Sequence, residues 1–94
     1  MRIEWLPEAC KDLIEIRRFI EAEHPGAAVQ AAKRIRDTIA CLGDHPEIGR
    51  AGRIPGTREL VIPGLPYVVP YRVKREAIVI LGVLYASKEW PSKL

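Results

Sequence analysis

The 94-residue chain holds little of what catalytic and metal sites are usually made from. Its two cysteines, Cys10 and Cys41, lack CxxC spacing, so neither a thiolate zinc site nor a disulfide framework is written into it. Both fall within helical patterns, where they read as small buried thiols. The serines are Ser87 and Ser92, near the C-terminus and outside any G-x-S-x-G elbow, which excludes a hydrolase nucleophile of that kind. His24 and His45 each precede a proline and read as helix-boundary residues rather than catalysts. No His/Cys/Asp/Glu group has metal-ligand spacing. Gly49, Gly52 and Gly56 match neither a phosphate-binding loop nor a dinucleotide fingerprint, and no cofactor is expected. No run approaches the roughly 18 apolar residues of a membrane span. Met1-Arg2 leads into Ile3-Glu4-Trp5 without a leader-like apolar stretch. The expectation is a single domain, residues 1–94, in the cytoplasm, with a core small enough that a partner would add stability.

What the chain does have is unevenly placed charge. It is +3 overall, from 15 Lys/Arg and 12 Asp/Glu. Residues 1–47 hold seven Lys/Arg and nine Asp/Glu, and residues 48–94 hold eight and three, so the balance moves from −2 to +5. A basic half suits nucleic acid or an acidic protein segment. The plainer reading is a solvated face that binds nothing.

Ile3–Leu6 reads as a short strand, and Pro7 suits the first turn of a helix. Leu6, Ala9, Leu13, Ile16 and Ile20 recur at helical steps, with Glu8, Lys11, Asp12, Glu15, Arg17 and Arg18 on the other face. His24-Pro25-Gly26 ends that helix. A second helix is predicted from about Ala27 to Leu42, with Ala28, Ala31 or Ala32, Ile35, Ile39 and Leu42 inward. Its alanines permit close approach in a helical hairpin, and Gly43 supplies a left-handed cap. Asp44–Pro55 is a loop. Three strands follow, Thr57–Ile62, Tyr67–Val73 and Ala77–Tyr85, with turns at Pro63-Gly64 and Lys74-Arg75-Glu76. Ile78-Val79-Ile80-Leu81 is apolar at successive positions, as in a central strand covered on both sides. Pro70 cannot donate to a ladder and predicts a bulge or a locally unpaired edge. The order is β-α-α-β-β-β. The fold class is α+β, a helical hairpin packed on one face of a small antiparallel sheet, leaving the other face or its rim for function.

The chemistry lies in the basic half. Arg50, Arg53, Arg58, Arg72 and Lys88 stand there with Tyr67, Tyr71, Tyr85 and Trp90. Guanidinium groups meet phosphate in a bidentate fork and stay charged, and aromatic rings stack on unpaired bases. A phosphodiester cleavage site can be assembled from arginine for the charge on phosphorus and tyrosine or lysine for the proton. No conventional base titrating near neutrality accompanies them. The plainer reading packs Tyr67 and Tyr71 in the strand and Trp90 on the core. It places Arg58 in a surface cross-strand pair, with Glu59 pointing to the opposite face.

Four fragments now stand in one order: His45-Pro46-Glu47-Ile48-Gly49-Arg50, Gly56-Thr-Arg-Glu-Leu60, Pro66-Tyr67-Val68-Val69-Pro70-Tyr71-Arg72-Val73, and Val83-Leu84-Tyr85 running into Trp90-Pro91. With the β-α-α-β-β-β order, over nearly its whole length, the chain resembles the RelE/ParE superfamily of toxins from bacterial type II toxin–antitoxin modules. The resemblance implies a small cytoplasmic toxin of the plasmid-stabilisation kind that arrests growth. It also implies a cognate antitoxin that wraps an extended or helical segment over the toxin. RelE-like members cleave messenger RNA in the ribosome, and ParE-like members poison DNA gyrase without nuclease residues. Nuclease members commonly carry arginine after the strand tyrosine, where Val68 follows Tyr67 here. Many relatives carry histidine near the end of the last strand, where this chain has Tyr85. The reading is therefore ParE-like, a gyrase inhibitor rather than an enzyme, with Arg50, Arg53, Arg58, Arg72 and Trp90 as target- or nucleic-acid-binding residues. The alternative is a RelE-like, ribosome-dependent mRNA endonuclease with Arg58, Tyr85 and Lys88 as its catalytic residues. A non-toxic partner- or RNA-binding module is the second alternative.

Overall fold

The computed structural model describes residues 1–87 and 89–90. Strand β1 (Arg2–Trp5) runs into helix α1 (Pro7–Glu21), and a short turn leads to α2 (Pro25–Ala40). A 3-10 turn at Cys41–Gly43 closes the helical half. Five strands follow: β2 (Arg50–Ala51), β3 (Arg58–Val61), β4 (Tyr67–Val73), β5 (Ala77–Ile80) and β6 (Leu84–Tyr85). They form one sheet in the order β1-β5-β4-β3-β2, with β6 also paired to β4. The α+β class and the helical hairpin are as the pattern implies. The sheet itself is mixed rather than wholly antiparallel, because β1 pairs parallel with β5. A parallel pair needs a long crossover, and everything from α1 to β4 serves as one.

Pro7 opens α1, where its missing N–H would have no helical partner. Ala9 and Ile16 are buried on its inner face, flanked by Leu13 and Ile20. Pro25 does more than end α1. Its fixed φ also starts α2, two residues earlier than the pattern predicts. Ala28, Ala31, Ala32, Ile35 and Ile39 form the buried face of α2. Ile35, Ile39 and Leu42 pack in one core with Val69, Tyr71, Ile78 and Ile80 of the sheet. Each such side chain, fully buried, contributes roughly 1.5–3 kcal/mol.

Some local expectations give way to long-range contacts. Gly43 is not a left-handed cap, since it has no positive φ. Its carbonyl instead receives the Met1 ammonium at 2.7 Å, which ties the start of β1 to the end of the helical half. Cys10 and Cys41 are both exposed rather than buried. Cys10 follows the buried Ala9 and so turns off the inner stripe. Gly64, with φ of 76°, sits third in the Ile62–Leu65 turn, where Pro63 precedes it and the Leu65 N–H donates to the Ile62 carbonyl at 3.2 Å. A left-handed residue after proline is the requirement of a type II turn.

The single strand predicted over Ala77–Tyr85 is broken. Tyr71 of β4 pairs with Ile80, and Val68 pairs with Leu84. Val69 and Pro70 therefore face Leu81, Gly82 and Val83, two residues against three, which is a bulge. Pro70 has no N–H to return, though its carbonyl still accepts the Leu81 N–H at 3.0 Å. The Val83 N–H goes to Oδ2 of Asp12 on α1, also at 3.0 Å. Asp12 is thus not on the solvent face with its charged neighbours. Burial raises its carboxyl pKa, while the Val83 hydrogen bond and Lys11 pull the other way.

This geometry predicts a split between two Asp12 variants. Asp12→Ala strands the Val83 N–H and lowers stability by about 1–3 kcal/mol in urea titrations at pH 7. Asp12→Asn keeps an acceptor without the charge that burial disfavours, and stays within about 0.5 kcal/mol of the parent. A raised folded-state pKa contributes stability below the unfolded-state pKa and loses it as pH rises through the folded value. That dependence disappears in Asp12→Asn. Equal losses in the two variants contradict the assignment.

Candidate functional site

The loop after the 3-10 turn carries Arg50 and Arg53, and two adjacent strand residues hold it from the helix side. Arg58 and Tyr71 are cross-strand partners on β3 and β4, so their side chains share one face. The Tyr71 ring is fully buried. Its hydroxyl accepts the Gly49 N–H at 2.9 Å and donates to the Pro46 carbonyl at 2.9 Å. A Cβ at Gly49 would lie 2.5 Å from that hydroxyl oxygen, so the approach requires glycine. Burial pushes the Tyr71 hydroxyl pKa up, against the Gly49 N–H and Arg58. Nη1 of Arg58 donates to the carbonyls of Glu47 at 3.2 Å and Gly49 at 2.8 Å. The residues His45 to Arg50 are therefore a loop pinned by one phenol and one guanidinium.

One residue along β3 the side chain turns to the other face. Glu59 lies there, 3% exposed. Its Oε1 accepts from Nη2 of Arg50 at 3.1 Å and Nη2 of Arg53 at 3.4 Å. Its Oε2 accepts from Nε of Arg53 at 3.1 Å and from the Arg53 backbone N–H at 2.7 Å. Burial alone would raise the Glu59 pKa, but the Arg53 N–H and the two guanidinium groups outweigh it and hold the carboxyl below its ordinary value. The arginine side chains remain 57% and 40% exposed, so their charge reaches solvent while the carboxylate does not. Arg53 also lies 3.5 Å from the centroid of the Trp90 ring, a cation–π contact worth roughly 0.5–2 kcal/mol. The Trp90 indole N–H donates to the Tyr85 carbonyl at 2.8 Å. Glu59, Arg53 and Trp90 thus form a chain that fastens the segment after β6 to the outer face of the sheet.

Beside Trp90 an open groove of about 440 Å3 runs between α1 and that segment. Ile16 and Phe19 line it from α1, and Val83, Leu84 and Tyr85 from the other side. Asp12, Glu15 and Glu89 add carboxylates. The Tyr85 ring packs on Tyr67, centroids 5.0 Å apart and planes tilted by 52°. Burial, then the Tyr85 hydroxyl, pushes the Tyr67 pKa strongly up.

The structure gathers Arg50, Arg53 and Trp90 around Glu59. By strand alternation Arg72 shares that face, and its Nη1 lies 3.0 Å from where a Cβ on Gly56 would stand. Arg58 works on the opposite face and Tyr85 lines the groove. Lys88 lies outside the described residues. Among the described residues, no group of three or more His, Cys, Asp or Glu is placed to hold a metal ion, and no helix is long and apolar enough to cross a membrane. Sequence reasoning passes over Glu59 as a site residue. The available signal is its isolation, since it is the lone carboxylate between residues 48 and 75.

The pairing predicts an acid-sensitive clamp. A carboxyl with a lowered folded-state pKa contributes stability above its unfolded-state pKa and loses it as pH falls through the folded value. Glu59→Gln therefore destabilises the chain at pH 7 by roughly 1–3 kcal/mol. The difference from the parent closes as pH drops below the folded-state value. Chemical denaturation at a series of pH values measures it, and a gap that persists unchanged into acid contradicts the ion-pair account.

Comparison with known proteins places the chain in a family. Residues 3–90 match the model described as the ParE toxin of the type II toxin–antitoxin system parDE. A Sinorhizobium fredii protein named "Putative toxin Y4kP" is 42% identical over 93 residues, 99% of this chain and 96% of that one. "Toxin RelE2" of Caulobacter vibrioides is 30% identical over 87 residues, 93% and 97% of the two chains. A solved chain from the chromosomal ParDE toxin–antitoxin system of P. aeruginosa superposes with a TM-score of 0.84 at 28% identity, covering 90% of this chain and 95% of that one. The chain belongs to the ParE toxin family of type II toxin–antitoxin systems.

Proposed function

We propose that this chain is the toxin of a ParDE-type pair, held inactive in the bacterial cytoplasm by a cognate antitoxin protein. Released from it, the chain arrests growth by inhibiting DNA gyrase, in the manner of a plasmid-stabilisation module. The observation that carries the reading is the prior engagement of the described groups a nuclease would use. Arg50 and Arg53 are bound to Glu59, Arg58 is bound to loop carbonyls, and Tyr85 is packed on Tyr67. Cleavage of a phosphodiester asks for about 8 kcal/mol or more of transition-state stabilisation. Donors must be aimed at the developing charge to supply it, and a donor held by its own fold is not so aimed. Val68, at the position where nuclease members commonly carry arginine, is 1% exposed. A docking inhibitor needs only a shaped, charged surface, and the half-exposed arginines about Glu59 provide one.

A relative named as a RelE toxin keeps a second reading in view: a RelE-like, ribosome-dependent mRNA endonuclease, with Arg58, Tyr85 and Lys88 as its catalytic residues. One culture separates the two. On induction without antitoxin, gyrase inhibition gives relaxed plasmid, DNA breaks and filaments while transcripts stay intact, and the purified chain blocks supercoiling by purified gyrase. Prompt codon-phased transcript cleavage, abolished by Tyr85→Phe, overturns the gyrase reading in favour of the nuclease.

A further inference from the structure

The loop from His45 to Arg50 is fixed more firmly than a connection between a helix and a strand requires. The Tyr71 hydroxyl bonds the Pro46 carbonyl and the Gly49 N–H, and Arg58 bonds the carbonyls of Glu47 and Gly49. The Ile48 N–H donates to the His45 carbonyl at 3.3 Å. Surface loops ordinarily leave many such groups to water. Between these anchors the Ile48 side chain stands 54% exposed. On β3, Val61 lies two residues beyond Glu59, hence on the same outer face, and is 49% exposed. Arg50 and Glu59 are partners across the antiparallel β2–β3 pair. Ile48 is two residues before the one and Val61 two residues after the other, so both lie at the same end of that pair. Two exposed aliphatic side chains therefore adjoin the half-exposed Arg50 and Arg53.

We infer that Ile48 and Val61, with Arg50 and Arg53 beside them, are the contact through which the chain engages its target, and that the surface they fit is protein: an apolar socket bordered by carboxylates. The inference rests on the gyrase-inhibitor reading above and gives that reading its contact residues. Charge argues for protein over nucleic acid. Two guanidinium groups over the one Glu59 carboxylate leave a single net positive charge. That suits one or two carboxylates at a socket rim, whereas a phosphodiester backbone is bound by neutralising several phosphates. Glu47, beside Ile48, is exposed as well, so the cationic side of the patch is the side of Arg50 and Arg53. Aliphatic side chains do not stack on bases, and the ring that could, Trp90, already lies on Arg53. Exposed aliphatic residues are common singly, and Ile14 on α1 is one, at 52%. Ile48 differs in the hydrogen bonds that hold its loop on both sides of it and in the second aliphatic residue at the same end of the ladder. A side chain set in place before association spares the entropy of ordering it. The buried Tyr71 hydroxyl and the Arg58 guanidinium are on this account positioning groups, which hold Ile48 out from the sheet.

The test titrates the purified full chain and its variants against supercoiling by purified gyrase, and doses the same variants by induction in cells without the antitoxin. Ile48→Ser and Val61→Ser are each expected to raise the half-inhibitory concentration about tenfold or more, and to weaken growth arrest in step. Ile48→Leu keeps an aliphatic group at the loop and is expected to stay within about threefold of the parent. Ile14→Ser removes a comparably exposed aliphatic group on α1 and is expected to change neither readout. All three positions are exposed, so the variants should unfold in urea with the parent, which checks that each is folded. Undiminished gyrase inhibition and growth arrest in the Ile48→Ser, Val61→Ser double variant overturn the patch assignment and leave the gyrase reading standing. A parent that arrests growth while purified gyrase stays active contradicts the gyrase reading instead. The patch is then decided by growth arrest, which the double variant loses if the inference holds and keeps if it does not. A fluorescein-labelled DNA duplex of about 20 base pairs tests the other class of target. Binding of that duplex by the parent at its inhibitory concentration, lost together with inhibition in Arg50→Ala, overturns the inference in favour of a nucleic-acid contact.

Discussion

A carboxylate buried on the outer face of the sheet organises the half of the molecule that carries its positive charge. Glu59 is 3% exposed, and a charge in that position is costly unless it is paired and hydrogen-bonded. The requirement draws in the loop. Arg50 arrives across the ladder, and Arg53 arrives with both its side chain and its backbone N–H. Arg53 then has a face left for Trp90, which brings in the segment after β6. A net charge alone would have left these cations dispersed by mutual repulsion. One acid gathers them, and a local positive surface exists because a negative group lies beneath it.

Consecutive residues on β3 divide the labour. Arg58 faces the helix side and, with its partner Tyr71, holds the carbonyls and N–H of the loop from below. Glu59 faces the other way and holds the loop's arginines from above. The alternation of a strand thus grips one loop on two sides. The same economy places Asp12 of α1 where the Pro70 bulge releases an N–H, so that a helix completes the hydrogen bonding of a broken strand. The carboxylates near that junction give the groove its acidic character, while the loop stays basic.

Much of the fold was legible because its signals are local. The stripes of α1 and α2, the Pro63-Gly64 turn and the bulge at Pro70 follow from spacing or from what proline cannot donate. What was not legible depends on residues far apart in the chain. The parallel pairing of β1 with β5 joins residues about 75 positions apart and leaves no periodic trace. Gly43 looks like a helix cap until Met1 arrives at its carbonyl. Asp12 reads as one more charge on a solvent face, and only the bulge 71 residues later explains it. At the site, the arginines were visible by type while their partners were not. Counting charge finds Arg50 and Arg53, but their roles are set by a single Glu59 whose burial no local pattern announces.

Glu59 sets the position of Trp90 through Arg53, without touching it. In a Trp5→Phe background Trp90 is the one remaining tryptophan, and acrylamide quenching of its fluorescence reports its exposure directly. Introducing Glu59→Gln at pH 7 is expected to make Trp90 more quenchable, while far-UV circular dichroism shows the helices and sheet intact. Unchanged quenching in the folded variant would show that Trp90 is held by something other than this clamp.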